Sequence, residues 1–165
     1  MNALNNQGNA LTKLGDLRTA LHQHDHALKS YQNAITVYTA ALQRAPDHVV
    51  ALKNQGNALR SLGKLQAMFR QHDAALESYQ KAITAYAAAL QRAPNDVNAL
   101  NHQGLALAKL GNLQIEIGQP DAACQRWRAA LQNWERSLKL APNQPAICEK
   151  RKSLKKFYDE HCAQK

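Results

Sequence analysis

The sequence predicts an all-α protein, a solenoid of three elongated antiparallel helical hairpins followed by a C-terminal capping helix. Three observations support this prediction: the sequence repeats, its apolar residues recur at helical spacing, and its composition suits helices. Five prolines, seven glycines and two phenylalanines in 165 residues are few for an all-β sandwich. A hydrophobic content of 45% is enough to build a core.

The sequence contains three copies of one repeat, which follow each other without a gap. ALNNQGNAL at 3–11 returns as ALKNQGNAL at 51–59 and as ALNHQGLAL at 99–107. The first two copies are identical at more than half of their positions, and the third is more diverged. We therefore expect three repeats and a basic capping helix, with the boundaries 1–48, 49–96, 97–144 and 145–165.

Each copy carries two stretches whose apolar residues lie three or four positions apart, which indicates two amphipathic helices. In the first copy we expect the turn near residues 22–25, with Asp25 capping the second helix. That helix should end near Pro46, because the residue before a proline leaves helical geometry. An antiparallel hairpin follows from this pattern.

A different interpretation places a second turn at Gly15 and divides each copy into three short helices. We disfavour it because Leu14 and Leu17 continue the apolar stripe through that glycine. Trp127 and Trp134 replace tyrosines of the earlier copies, and we expect them to pack in the core.

The order of glycines, aromatic residues and prolines resembles the tetratricopeptide repeat, whose usual unit is about 34 residues long. The resemblance implies a right-handed superhelix whose first helices line a concave, partner-binding face. It also implies a scaffolding or adaptor function. In the first copy it rests on Leu4, Gly8, Leu11, Gly15, Ala27, Tyr31, Ala34 and Pro46, and most of this set recurs at the equivalent positions of the second and third copies.

The unit of this sequence is longer than the family's by about 14 residues, half of them in each helix. The insertion in each helix is close to two helical turns, so the apolar stripe drifts by only about 20°. The two helices of a hairpin can therefore still pair along their whole length, and each is about 10 Å longer than usual.

Polar residues on the first helices are the candidate binding site. A carboxamide donates and accepts hydrogen bonds at once, which suits the backbone of an extended peptide. Solvated residues on a helix surface are the simpler interpretation. The candidates for the concave face are Asn5, Asn6, Asn9, Lys53, Asn54, Asn57, Asn101 and His102.

Two variants of the family use such positions. Asn6 and Asn54 resemble two rungs of the asparagine ladder in O-linked N-acetylglucosamine transferases, and His102 interrupts the third. The chaperone-binding carboxylate clamp fits less well. Asn9 and Asn54 match it, but Asn5, Asn98 and His102 stand where the clamp has lysine, lysine and arginine.

The net charge of +9 permits acidic partners, and the runner-up function is a basic solenoid that binds nucleic acid. It would use Lys53, Arg60, Lys64 and the lysines of 145–165. Because the charge is spread along the chain and exposed aromatics are not interleaved with it, this function is the alternative. In the tail, five residues at helical spacing are expected to cover the last hairpin: Ile147, Leu154, Phe157, Tyr158 and His161.

The sequence carries no motif for catalysis or for phosphate binding, so we expect no enzyme and no cofactor. His22, His24 and His26 are dense enough to hold a transition metal. They straddle a surface turn, and the other copies do not keep the three histidines. We therefore predict no metal site.

The three cysteines are Cys124, Cys148 and Cys162. Their odd number and their spacing match neither a disulfide framework nor a metal site, which favours a reducing, cytoplasmic location. Cys124 lies on the apolar stripe and should be part of the core. No membrane-spanning or signal segment is evident. We expect a protein or peptide partner and no membrane partner; self-association through the open repeat ends is left open.

Overall fold

The structure, a computed structural model, describes residues 2–162, which form helices and no strand. The predicted all-α class is confirmed. The second helices begin at His24, His72 and Pro120, at equal intervals along the chain. The helices are α1 (Asn2–Ala20), α2 (His24–Arg44), α3 (Val49–Met68), α4 (His72–Arg92), α5 (Val97–Glu116), α6 (Pro120–Leu140) and α7 (Pro145–Cys162).

The helices pair as hairpins, α1 with α2, α3 with α4 and α5 with α6. Gly8 near the start of α1 faces Tyr38 near the end of α2, so the two helices are antiparallel. A Cβ atom on Gly8 would lie 2.5 Å from the Tyr38 ring, so only glycine lets the ring rest on the helix. Five further pairs repeat this contact: Gly15–Tyr31, Gly56–Tyr86, Gly63–Tyr79, Gly104–Trp134 and Gly111–Trp127.

Gly15 lies inside the continuous helix α1, so the three-helix interpretation of the unit is wrong. The aromatic partners of the glycines are core residues. Tyr38 and Tyr86 are fully buried, and Trp127 and Trp134 are 3% and 2% exposed, which confirms the prediction for the tryptophans.

The turns between paired helices share one geometry. Each contains a residue with positive φ: 56° at His22, 56° at Arg70 and 76° at Gly118. The following backbone N–H closes the first helix, as when Gln23 donates to the carbonyl of Arg18 at 2.8 Å. This arrangement is the Schellman motif, which satisfies carbonyls at a helix C-terminus.

The expectation that Asp25 caps α2 is wrong. The N-cap is Gln23, which makes no side-chain capping bond, and Asp25 lies in the first turn of the helix. There its carboxylate still interacts favourably with the positive end of the helix dipole. The helix end predicted at Pro46 is confirmed, because α2 ends at Arg44.

The chain forms two compact units, residues 1–93 with α1 to α4 and residues 94–165 with α5 to α7. In the first unit α2 packs against α3. Leu62 and Leu65 of α3 form one buried cluster with Ala27 and Tyr31 of α2. A second cluster joins Ala34, Tyr38 and Ala58.

In the second unit α7 packs along α6. Leu154 is the buried residue of α7, while Ile147 and Tyr158 are half-buried. Phe157 and His161 are exposed, contrary to the expectation that all five apolar positions of the tail face the hairpin. The ring of His161 nevertheless lies 5.9 Å from that of Trp127.

Cys124 and Cys162 form a disulfide bond that ties the end of α7 to the beginning of α6. The expectation of unpaired cysteines is therefore wrong. The two residues are 38 positions apart in sequence, but the packing of the helices brings their Cα atoms to 5.7 Å. Cys124 is half-buried rather than a core residue, and Cys148 is a free, half-buried thiol.

Candidate functional site

The three asparagines predicted on α1 lie in different environments. Asn6 is exposed. Asn5 is 7% exposed, and its Oδ1 accepts no hydrogen bond from the residues that the structure describes. Asn9 is half-buried, and its Oδ1 accepts a hydrogen bond from the Tyr38 hydroxyl at 2.7 Å. Of the three, Asn6 is thus the one whose carboxamide faces solvent.

The equivalent residues of α3 repeat part of this pattern. Lys53, Asn54 and Asn57 are all half-buried. Asn57 Oδ1 accepts a hydrogen bond from the Tyr86 hydroxyl at 2.8 Å, as Asn9 does from Tyr38. Asn9 and Asn57 therefore satisfy buried tyrosine hydroxyls and help to hold their hairpins together.

The third copy replaces this pair. Leu105 stands where the others have asparagine, and Trp134 stands where they have tyrosine. The indole Nε1 of Trp134 donates instead to the backbone carbonyl of Asn101 at 3.2 Å. In the third copy a backbone carbonyl thus replaces the asparagine as the acceptor for the buried aromatic donor.

Asn101 and His102 belong to the second unit and are half-buried. Asn101 Nδ2 donates to Gln144 Oε1 at 2.6 Å, and Gln144 in turn bonds the carbonyl of Ala141. The Asn101 side chain thus holds the segment between α6 and α7. His102 also interacts with another group of the protein.

A polar cleft of about 440 Å³ opens between α1 and α3, and we call it the α1–α3 cleft. Two cations, one carboxylate and three hydroxyls stand around it, which suits a ligand that carries both donors and acceptors. Leu65 and Met68 supply an apolar part. Its polar lining residues are Asp16, Thr19, Tyr31, Arg60, Ser61 and Lys64.

Tyr31 forms the inner wall of the α1–α3 cleft. Its hydroxyl donates to Asp16 Oδ1 at 2.7 Å and lies 3.3 Å from the Thr19 hydroxyl. Burial raises the pKa of Tyr31 to about 12; the Thr19 bond opposes this shift, and the Asp16 carboxylate adds to it. Tyr31 therefore remains a neutral donor across the physiological pH range.

Tyr86 is anchored in a similar way on the other hairpin of this unit. Burial raises its pKa to about 12, and the neighbouring guanidinium of Arg60 opposes the shift. Arg60 also lines the α1–α3 cleft, so it connects the buried tyrosine with the surface.

Sequence reasoning missed the α1–α3 cleft as a site. The sequence pattern assigns Arg60 and Lys64 to phosphate contacts only, and it assigns no function to Asp16, Thr19 and Ser61. The sequence does carry a signal: Asp16, Lys64 and Asn112 occupy one equivalent position and differ in charge among the three copies.

The basic residues of α7 are largely paired with acids. Lys152 bonds Glu149, Lys155 bonds Asp159, and Arg151 bonds Glu135 of α6 at 3.3 Å. All these pairs are exposed, so each contributes little to stability. Their acids nevertheless reduce the positive potential of this helix.

The histidines near the first turn pack against each other and against an aromatic ring. The rings of His22 and His24 lie 5.8 Å apart edge to face, and that of His24 lies 4.8 Å from Phe69. Across residues 2–162 no three His, Cys, Asp or Glu side chains are grouped to hold a metal ion. Nor does this part of the chain contain a helix apolar and long enough to cross a membrane.

Two solved structures cover nearly all of the chain with similar folds. The first tetratricopeptide domain of human RPAP3 aligns with a TM-score of 0.56 and 15% identity, covering 98% of this chain and 99% of its own. The first tetratricopeptide domain of Spaghetti (RPAP3), bound to the HSP90 peptide SRMEEVD, aligns with a TM-score of 0.51 and 17% identity, with 92% of both chains covered. At 15% and 17% sequence identity, the similarity shows a shared fold and nothing more specific. No curated protein matches by sequence.

The family model of the tetratricopeptide repeat matches residues 5–67 and 71–123. These ranges contain all of α2, α4 and α5 and nearly all of α1 and α3, and they end in the first turn of α6. The chain belongs to the tetratricopeptide repeat family.

Proposed function

We propose that this protein is a non-catalytic interaction module that binds an extended peptide or a partner helix on the face lined by its first helices. The α1–α3 cleft is the observation that carries the proposal. It offers donors, acceptors and an apolar wall side by side on two first helices. An extended peptide needs these features, because its backbone carries donors and acceptors while its side chains alternate.

Asn6 and Asn54 are the residues we assign to backbone contact. Both lie on the first helices of the same unit, outside the residues that line the α1–α3 cleft, and neither is deeply buried. Lys53, on α3, is the third residue that we assign to peptide contact. Asn5, Asn9, Asn57, Asn101 and His102 have roles in packing or lie in the other unit, so we assign them secondary contributions. The family's peptide binding, as in the Spaghetti domain with its HSP90 peptide, is consistent with this assignment.

We also propose that each functional unit is a lengthened tetratricopeptide hairpin, with the boundaries 1–48, 49–96 and 97–144 and a cap in 145–165. The longer helices would give the binding face additional height. In the family such hairpins stack into a right-handed superhelix.

The test begins with peptides selected from a random library on the full chain. We expect the replacement of Asn6 and Asn54 by alanine to weaken a selected peptide by about five- to a hundredfold, since each neutral hydrogen bond contributes about 0.5–1.5 kcal/mol. Asn33→Ala, at an exposed asparagine of α2, is the matched control and should leave the affinity unchanged. Equal affinities in all three proteins would contradict the assignment.

Asn57→Ala is unsuitable for this test, although Asn57 is one of the candidates for the concave face. It would remove the acceptor of the buried Tyr86 hydroxyl and so destabilise the hairpin. A loss of binding would then have two explanations. Asn54 is not involved in the tyrosine bond and avoids the problem.

Nucleic-acid binding remains the alternative. Its proposed contacts, Arg60 and Lys64, share their cleft with Asp16, which would oppose a phosphate. A salt titration separates the two functions. Affinity for nucleic acid should fall steeply with salt if several phosphates are neutralised, whereas binding through carboxamides should change little.

The cytoplasmic location expected from the sequence stays a prediction. The disulfide between Cys124 and Cys162 removes the observation on which a cytoplasmic location rested, because disulfides persist mainly in oxidising compartments. Alkylation of the protein directly from its source, followed by mass spectrometry of both cysteines, would identify the redox state in which it works.

A further inference from the structure

The helix α7 is held by a different kind of bond at each end. At its N-terminal end, Gln144 Nε2 donates to the carbonyls of Ala141 at 2.6 Å and Ser137 at 3.2 Å. Gln144 Oε1 accepts from Asn101 Nδ2 at 2.6 Å, so this side chain connects the start of α7 to both α5 and α6. At its C-terminal end, α7 is joined to α6 by the disulfide bond.

Between its two ends, α7 makes few contacts that would keep it on α6. Leu154 is the side chain of α7 that is buried. The Tyr158 hydroxyl accepts from Arg128 Nε at 2.9 Å, and Arg151 pairs with Glu135 at 3.3 Å. Both of these contacts are exposed, so water competes with them and they contribute little to stability. The middle of the helix is therefore weakly attached.

The disulfide bond is accessible, and α7 contains no second thiol that could take its place. Cys124 and Cys162 are both half-buried, so a small dithiol can reach the bond. The free thiol of Cys148 lies 14 positions before Cys162 on the same helix, about 21 Å away at 1.5 Å per residue. A disulfide requires Cα atoms within about 7 Å of each other, so Cys148 cannot pair with Cys162 while α7 is helical.

We propose that α7 is a redox-controlled lid on α6, hinged at Gln144 and held closed by the disulfide between Cys124 and Cys162. A dithiol opens it by thiol–disulfide exchange. The Sγ–Sγ bond breaks, both cysteines become thiols with the protons of the dithiol, and the dithiol is oxidised to a disulfide. The C-terminal part of α7 then separates from α6 and uncovers Leu131, which is 8% exposed in the closed form. This regulation does not depend on the peptide binding proposed above.

The hinge remains in place after reduction, because its bonds involve no sulfur. The backbone N–H groups of Ile147 and Cys148 each donate to the carbonyl of Gln144 at 3.0 Å. Ser137, which accepts from the Gln144 side chain, is fully buried, so water does not compete for that bond. Beyond the hinge, a helix of this length that has lost its packing partner is marginal in water. Its amides should then exchange quickly with solvent.

Hydrogen exchange of the full chain, followed amide by amide by NMR with and without dithiothreitol, tests the proposal. We expect the amides of residues 154–161 to exchange at least tenfold faster in the reduced protein, since local opening determines the exchange rate. The amides of Ile147 and Cys148, and those of α5, should change by less than about twofold, because the hinge and the hairpin stay folded.

Two variants are the controls. The double replacement Cys124→Ser and Cys162→Ser produces the open form, and its residues 154–161 should exchange quickly with or without dithiothreitol. Cys148→Ser should respond to dithiothreitol as the wild type does.

Three results would overturn the proposal. Equal exchange of residues 154–161 in the oxidised and reduced proteins would mean that the disulfide does not hold the lid. Acceleration that includes Ile147 and Cys148 would mean that Gln144 is not a hinge. Acceleration of α5 and α6 to the same degree as α7 would mean that reduction unfolds the whole unit of residues 94–165 rather than opening a lid.

Discussion

At the residue scale, the turn that ends each first helix imposes a left-handed backbone on unlike side chains. His22 and Arg70 occupy the position that Gly118 takes in the third turn. Glycine adopts this conformation without steric cost, whereas other residues bring Cβ close to the following carbonyl. The first two turns therefore contain strain that the third does not.

Exchanging these residues should change stability in opposite directions. We expect Arg70→Gly to raise the free energy of unfolding by about 0.5–1 kcal/mol and Gly118→Ala to lower it by about 1–2 kcal/mol. No described atom lies within 4 Å of a Cβ built on Gly118, so its effect would come from the backbone alone. Urea unfolding measures both. A destabilised Arg70→Gly protein would contradict the explanation.

The buried tyrosines predict a loss of stability at high pH. The pKa values of Tyr31 and Tyr86 are raised from 10.0 to about 12, mainly by burial. The folded state therefore holds these protons more tightly than the unfolded chain. The resulting stabilisation is complete below pH 10 and is lost as the pH rises towards 12, by at most about 1.4 kcal/mol per pH unit for each tyrosine.

Tyr86→Phe checks this prediction, because Tyr86 is fully buried. The variant should be less stable than the wild type at neutral pH, since Asn57 loses its bond, but it should lose less stability between pH 10 and 12. Chemical unfolding at a series of pH values gives the free energy of unfolding of both proteins at neutral pH and between pH 10 and 12. If this free energy fell by the same amount in both proteins between pH 10 and 12, the raised pKa of Tyr86 would not be its cause.

At the element scale, α7 is held to its neighbour by few buried side chains. Leu154 is its buried residue, and most of its charged residues pair at the surface. The disulfide at its C-terminal end is thus a large part of its attachment.

Breaking the disulfide should therefore destabilise the unit of residues 94–165. The two cysteines are 38 positions apart, and closing a loop of that length stabilises the folded state by about 2–4 kcal/mol in the chain-entropy description. We expect Cys162→Ser, or treatment with dithiothreitol, to lower the unfolding midpoint. Cys148→Ser is the control and should have a small effect. A midpoint that does not respond to dithiothreitol would contradict the prediction.

At the scale of the whole molecule, the two ends of the described chain differ. In the unit of residues 94–165, α7 lies on α6, whereas in the unit of residues 1–93 the side chains of Leu14 and Leu17 on α1 are exposed. A solenoid requires polar terminal surfaces to stay in solution, and α7 provides one.

Removing residues 145–165 should expose apolar surface on α6 and promote association. Leu131, which lines the groove between α6 and α7, is 8% exposed in the intact protein. We expect light scattering and sedimentation to detect oligomers of the shortened chain. The full-length Cys162→Ser protein separates the loss of the helix from the loss of the disulfide. A shortened chain that stays monomeric, with an unchanged midpoint, would mean that α7 is not a cap.

Local features of the sequence were enough to predict the helices. The spacing of Leu14 and Leu17 through Gly15, and the position of Pro46, report directly on helix continuity and helix ends. The turn predicted near residues 22–25 likewise indicates that the two helices of one copy form a hairpin. Such signals depend on neighbours within a few turns, which a sequence displays.

Other features depend on contacts between distant residues. Cys124 meets Cys162 only because α7 packs along α6, and Asn9 is a partner of Tyr38 only because the hairpin closes. The sequence alone determined the helical class, the repeat and the family resemblance, since these follow from periodicity. Tertiary structure alone decided which asparagine side chains are hydrogen-bonded, which cysteines pair and which apolar faces are covered. Packing sets the distances between these residues, and no spacing along the sequence encodes them.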